Sequence, residues 1–206
     1  MDKNKFEKIV KSNNFKLYLL DCQDKASNSS KRVWEKSIPL WIAAYFQSKG
    51  VSPHLFDGNY GNKQLEEHNN HKINKKIATA ILKVAGKQKR SAHADFTVHG
   101  TSKNAIVGML EIKSLFGYQK SPFRTENIFQ DICMCLVYNL FLGNTGSAFV
   151  LFLNVPYNKE QTKPLNEIGV IKELEELFKE KFKKSNKAVQ LEVKKQKWEN
   201  ILIWME

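Results

Sequence analysis

The stretch HADFTVHGTSKNAIVGMLEIKSLF, residues 93–116, decides how the chain is read. Its two apolar runs are rich in β-branched and aromatic residues and are joined by GTSKN, which predicts an antiparallel hairpin of strands 93–99 and 105–113. The second run is interrupted by Glu111 and Lys113, with Ile112 between them. Residues two apart on a strand share a face, so a carboxylate and an ammonium emerge side by side from an apolar strand. Pairing the strands brings Asp95, at the start of the first, toward the Glu111 end of the second. Two carboxylates and a lysine are thus expected to converge at one sheet edge.

Around this hairpin the period of the apolar residues changes. Residues 125–142, TENIFQDICMCLVYNLFL, are too long for an ordinary strand and end at GNTG, which predicts a largely buried helix. SAFVLFLNVP, from residue 147, is a continuous apolar run of the kind buried on both faces of a sheet. Upstream, a short helix is expected near residues 3–12, an apolar strand in FKLYLL (15–20), and a helix in RVWEKSIPLWIAAYFQSKG (32–50). Trp34, Ile38, Trp41 and Tyr45 fall there at helical spacing, and Pro39 predicts a kink or a later start. VSPHLF reads as a short strand and 64–85 as a helix. Downstream, 164–184 reads as a charged amphipathic helix, and AVQLEVKK with WENILIWM as a terminal hairpin. Helices before and after the strands give an α/β chain with a mixed central sheet flanked by helices.

With 206 residues, 42% hydrophobic, the chain is expected to form a single domain, residues 1–206. The 33 Lys and Arg against 21 Asp and Glu give a net charge of +12, which favours polyanionic partners. No stretch has the order of a signal peptide or the ~20 apolar residues of a membrane span. The expectation is a cytoplasmic protein with no membrane partner. Cys22, Cys133 and Cys135 are an odd set, read as reduced core residues.

Hard divalent cations such as Mg²⁺ prefer oxygen ligands and are often held by one or two carboxylates together with substrate phosphate. A neighbouring lysine can orient or help deprotonate an attacking water and offset charge on the phosphate. The chemistry that suits Asp95, Glu111 and Lys113 together is phosphodiester hydrolysis.

Asp95 in HAD, followed by Glu111 and Lys113 in EIK, resembles the signature of the PD-(D/E)XK nuclease superfamily, the restriction-endonuclease-like proteins. Ala94 stands where that family nominally has proline. The resemblance spans about residues 31–154 as a pattern of helix, three strands, helix and strand. It implies a restriction-endonuclease-like core (αβββαβ) with N- and C-terminal additions, the latter a helix and β-hairpin over 155–206. It further implies a deoxyribonuclease using Mg²⁺, with Mn²⁺ as a substitute, of the endonuclease kind found in restriction or defence, phage or toxin systems. On this resemblance Asp95 and Glu111 are the metal ligands, Lys113 the water-orienting or charge-stabilising group, and Glu35 a further acidic residue from the first helix. Were 64–85 the core helix instead, Glu66 or Glu67 would take that place. Gln130 resembles a glutamine of exonuclease-like members and is given a supporting role, although Met134 stands where their tyrosine would be.

Candidate DNA contacts are Lys120 and Arg124, in the loop after the motif strand, and Lys89 and Arg90, which lead into Asp95. Asp131 could face the site or pair locally, the local role being favoured. A second E-x-K, Glu192 and Lys194 in QLEVKK, lacks a hairpin partner bearing an Asp and is read as the exposed face of a strand. Cutting both strands of a duplex asks for two sites, which a homodimer would supply. The alternative is a non-catalytic nucleic-acid-binding protein that retains the nuclease fold; a third reading makes Glu111 and Lys113 a structural ion pair.

Overall fold

The central hairpin forms where the pattern predicts it, between β4 (Phe96–His99) and β5 (Ile106–Ser114). Phe96 pairs with Leu110 and Val98 with Gly108, and the register shifts between Val98 and His99. These elements come from a computed structural model that describes residues 1–27, 37–52, 56–57, 60–61, 72–86, 93–100, 105–115, 124–154 and 164–206. Among the described residues the remaining strands are β1 (Phe56–Asp57), β2 (Tyr60–Gly61), β3 (His93–Ala94), β6 (Ser147–Leu153) and β7 (Leu202–Met205). The helices are α1 (Lys3–Val10), α2 (Asn13–Ser27), α3 (Ile38–Ser48), α4 (Lys72–Val84), α5 (Thr125–Leu142), α6 (Glu167–Phe182) and α7 (Lys187–Gln196).

The main sheet has five strands in the order β1-β4-β5-β6-β7. β1, β4 and β5 run antiparallel in turn, whereas β6 is parallel to β5 and β7 parallel to β6. A parallel neighbour requires a crossover, and α5 supplies it between β5 and β6. Every residue of β6 is buried, as its unbroken apolar sequence requires. β2 and β3 form a separate antiparallel pair that leads into Asp95.

Each face of the sheet has its own helical layer. Leu110 and Ile112 of β5 point into a cluster with Phe6, Phe15, Leu19, Ile42 and Phe46 of α1, α2 and α3. Met109 points the opposite way, into the cluster built by α4, α5, α6 and α7. Alternation along β5 thus assigns Glu111 and Lys113 to the α5 side. Gly108 is where α1 comes closest: a Cβ there would fall within the ring of Phe6.

Two expected strands are helices. FKLYLL lies inside α2, because its buried residues, Phe15, Leu19 and Gln23, recur every four positions. The Ser12 hydroxyl caps it, accepting the Phe15 N–H at 3.2 Å. AVQLEVKK forms α7: Asn186 caps it through the Val189 N–H at 3.0 Å, and Val189 and Val193 are buried while Leu191 is 58% exposed. The expected terminal hairpin is therefore replaced by a helix and one parallel strand. α3 begins at Ile38 with Pro39 in its first turn, where proline's missing N–H has no intrahelical role. Among the described residues no helix is long and apolar enough to cross a membrane, and Cys22, Cys133 and Cys135 are all free thiols, the last two buried.

Candidate active site

The Phe96 to Leu110 register continues outward to set Asp95 beside the Glu111 end of β5. Asp95 lies at the bend between β3 and β4, and its Oδ2 accepts the Ile112 N–H at 2.7 Å. That bond ties the side chain across the hairpin while leaving the residue exposed to solvent. β5 is the middle strand of the sheet, so the group lies at the end of a central strand and not along an outer strand.

Glu111 is only 7% exposed, and its Oε1 accepts the Tyr138 hydroxyl at 2.9 Å. Burial first, then the neighbouring Asp131 and Asp95, push its carboxyl well above the usual carboxylate range; the Tyr138 hydrogen bond and Lys113 pull it partly back. Burial and Glu111 push the Tyr138 hydroxyl up as well, so it remains a donor. Lys113 is half-buried, with its Nζ 3.1 Å from Oδ2 of Asp131 on α5.

α5 positions the second half of the group. Asp131, Cys135 and Tyr138 are spaced i, i+4 and i+7, which places them on one helical face, and that face meets Glu111 and Lys113. Sequence reading alone favoured a local role for Asp131 and gave none to Tyr138. The signal was present in the spacing: a tyrosine and an aspartate on the same face of a buried helix, opposite a strand that carries two charges. Gln130 is half-buried on the same helix, about 100° around the axis from Asp131.

Arg124 is exposed at the N-cap of α5, about two turns before Asp131. Glu35, Glu66, Glu67, Lys89, Arg90 and Lys120 lie outside the described residues. Glu192 and Lys194 are on α7, with Glu192 accepting from Gln196 at 3.0 Å.

Asp95 and Asp131 both act on the charge of Glu111 from either side of it, with Lys113 beside Asp131, and the repulsion is registered in the raised carboxyl of Glu111. A divalent cation is the chemical complement of that charge imbalance. Among the described residues no three His, Cys, Asp or Glu side chains gather closely enough to hold an ion. The donor set suits a hard cation that takes two protein carboxylates and fills its shell with water and phosphate oxygens. Comparison of the chain with family models, with characterised proteins and with solved structures returns no match.

Proposed function

We propose that the chain is a Mg²⁺-dependent nuclease that hydrolyses DNA phosphodiester bonds, with Asp95, Glu111 and Lys113 at its centre. The observation that carries this reading is the meeting of Asp95 and Glu111 from adjacent strands, with Lys113 next on the Glu111 face. The order α3, β1, β4, β5, α5, β6 supports reading the core as the αβββαβ arrangement of restriction-endonuclease-like proteins.

Asp95 and Glu111 would hold the cation, Mg²⁺ or Mn²⁺ in its place. When bound, such an ion polarises a phosphoryl oxygen and lowers the pKa of a coordinated water. Asp95 is fixed across the hairpin, and Glu111 is held by Tyr138, so neither carboxylate has to be ordered when substrate arrives. Lys113 presents N–H donors and no acceptor. Paired with Asp131 at 3.1 Å, it orients the attacking water or compensates charge on the phosphate. Asp131 is a positioning residue for Lys113. A duplex cut on both strands would call for two such centres, and a homodimer is the simplest way to provide them.

The test is nicking and linearisation of supercoiled plasmid with Mg²⁺, with EDTA, and with Glu111→Ala and Lys113→Ala proteins. Cleavage that needs the metal and disappears in both variants supports the reading. If duplex, single-stranded and branched DNA and RNA all survive while salt-sensitive binding remains, the chain is a nucleic-acid-binding protein and the enzymatic reading is wrong.

A further inference from the structure

Beyond β6 the chain builds a second feature that the proposed chemistry does not use. α6, α7 and the short 3-10 turn Trp198–Asn200 enclose a groove of about 890 Å³. Its floor is aromatic. Phe178 stacks on Trp198 with ring centroids 5.0 Å apart and planes within 6°, and on Phe182 at 5.7 Å and 8°. Its walls are basic: Lys179 on α6 and Lys183 at its C-cap, Lys194 on α7 and Lys197 after it, with Glu199 as the acidic lining residue. All four lysines are exposed, and among the described residues none is held in an ion pair.

We propose that this groove binds single-stranded nucleic acid, independently of whether the chain cuts it. Lys179 in the last turn of α6 and Lys183 at its C-cap are four residues apart, about 6 Å along the axis, close to the spacing of successive phosphates on an extended strand. Lys194 and Lys197 line the same groove from α7 and the turn after it. Phe178, Phe182 and Trp198 are each under a tenth exposed, so the floor offers a narrow apolar strip of ring edge that reads no base, and the lysines carry the attraction. Lysines tracking the phosphates of a strand over a sequence-neutral strip bind without preference for sequence, the backbone charge supplying the affinity. The volume is that of a small-ligand cleft, within about 300–1,000 Å³, room for a short stretch of strand. An acidic helical peptide is the competing polyanion, but it would need deeper apolar pockets for its anchors than these covered rings provide.

The experiment is fluorescence anisotropy of a labelled oligothymidylate of about 20 nucleotides, with full-length protein in EDTA so that no turnover contributes. The groove variant K179Q/K183Q/K194Q is set against K5Q/K8Q/K16Q, which removes the same charge from α1 and α2. The groove variant is expected to bind at least about tenfold more weakly, with its log–log salt slope shallower by about 2. The control should stay within about threefold, and K179R/K183R/K194R should retain binding because it keeps the charges. Equal loss in both glutamine variants would reduce the effect to net charge and overturn the proposal. So would wild-type binding by the groove variant, or tighter binding of polyglutamate than of the oligonucleotide at the same groove. Loss of cleavage in Glu111→Ala with strand binding intact separates this proposal from the nuclease reading.

Discussion

Glu111-Ile112-Lys113 on β5 and Glu192-Val193-Lys194 on α7 have the same charged residues at the same spacing, and they differ in everything that matters for chemistry. On the strand, two residues apart means the same face, so Glu111 and Lys113 both meet α5. On the helix, two residues apart means about 200° of rotation. Glu192 turns to Gln196 and Lys194 to the basic groove. β5 is covered on both sides, so its carboxylate is desolvated and pushed upward; α7 is a surface helix on which Lys194 is exposed. A short motif acquires meaning from the period of the element that carries it.

The largest expected effect breaks the pair apart most directly. Glu111→Gln removes a carboxylate while keeping its size, and metal-dependent cleavage of plasmid is expected to fall by at least about 10³-fold, the scale of losing a principal electrostatic group. Glu192→Gln should leave the rate within about twofold. Equal losses in the two variants would remove the distinction and the assignment of the centre with it.

Stability offers a second contrast that needs no substrate. The folded-state carboxyl of Glu111 lies above its unfolded value, so between those two values the native state binds the extra proton. The linkage slope is then negative. The stability contribution is fully present below the unfolded pKa and is lost as pH rises through the raised folded value. The limiting slope for one proton is about 1.4 kcal/mol per pH unit. Urea unfolding in EDTA should show this fall for the wild-type chain and a flatter profile for Glu111→Gln, while Glu192→Gln keeps the wild-type slope. If Asp95 and Glu111 hold the cation as proposed, adding Mg²⁺ should recover stability selectively at the high-pH end, where the pair is ionised.

Tyr138→Phe is expected to have a smaller effect and acts only on the β5 copy. It removes the hydroxyl that donates to Glu111 at 2.9 Å and costs about 1 kcal/mol of stability. That bond lowers the Glu111 carboxyl, so its loss raises it further. The acid limb of the cleavage-rate profile should move to higher pH, with the plateau rate retained. An unchanged limb would show that ionisation of Glu111 does not govern the rate.

The hairpin, the buried helix after it and the doubly covered β6 were legible because each has a long, unambiguous pattern, and Asp95, Glu111 and Lys113 followed from strand parity. FKLYLL was misread because six apolar-rich residues satisfy either period; the deciding signals were Ser12 as a cap and Phe15, Leu19 and Gln23 every fourth residue. AVQLEVKK failed differently. Its Val189, Leu191 and Val193 alternate as a strand would, yet Leu191 faces solvent. The role of Tyr138 was hidden because a hydroxyl inside an apolar helix announces no partner until the strand opposite is known. Lys113 and Asp131 lie 18 residues apart in sequence, and only packing joins them.

The smallest expected effect tests α7 itself. If residues 188–195 alternated on a strand, Val189, Leu191 and Val193 would share one face and truncating any of them would cost a similar amount. On a helix Val189 and Val193 are one turn apart and buried, and Leu191 lies on the far side, 58% exposed. Val193→Ala should therefore lower stability by about 1 kcal/mol, in line with removing two buried methyl groups at a partly packed site. Leu191→Lys should change it by less than about 0.5 kcal/mol, as surface substitutions do, and lysine is a good helix former at an exposed position. A loss at Leu191 as large as that at Val193 would restore the strand reading of QLEVKK. The two copies would then share a backbone period, and the contrast between them would have to come from burial alone.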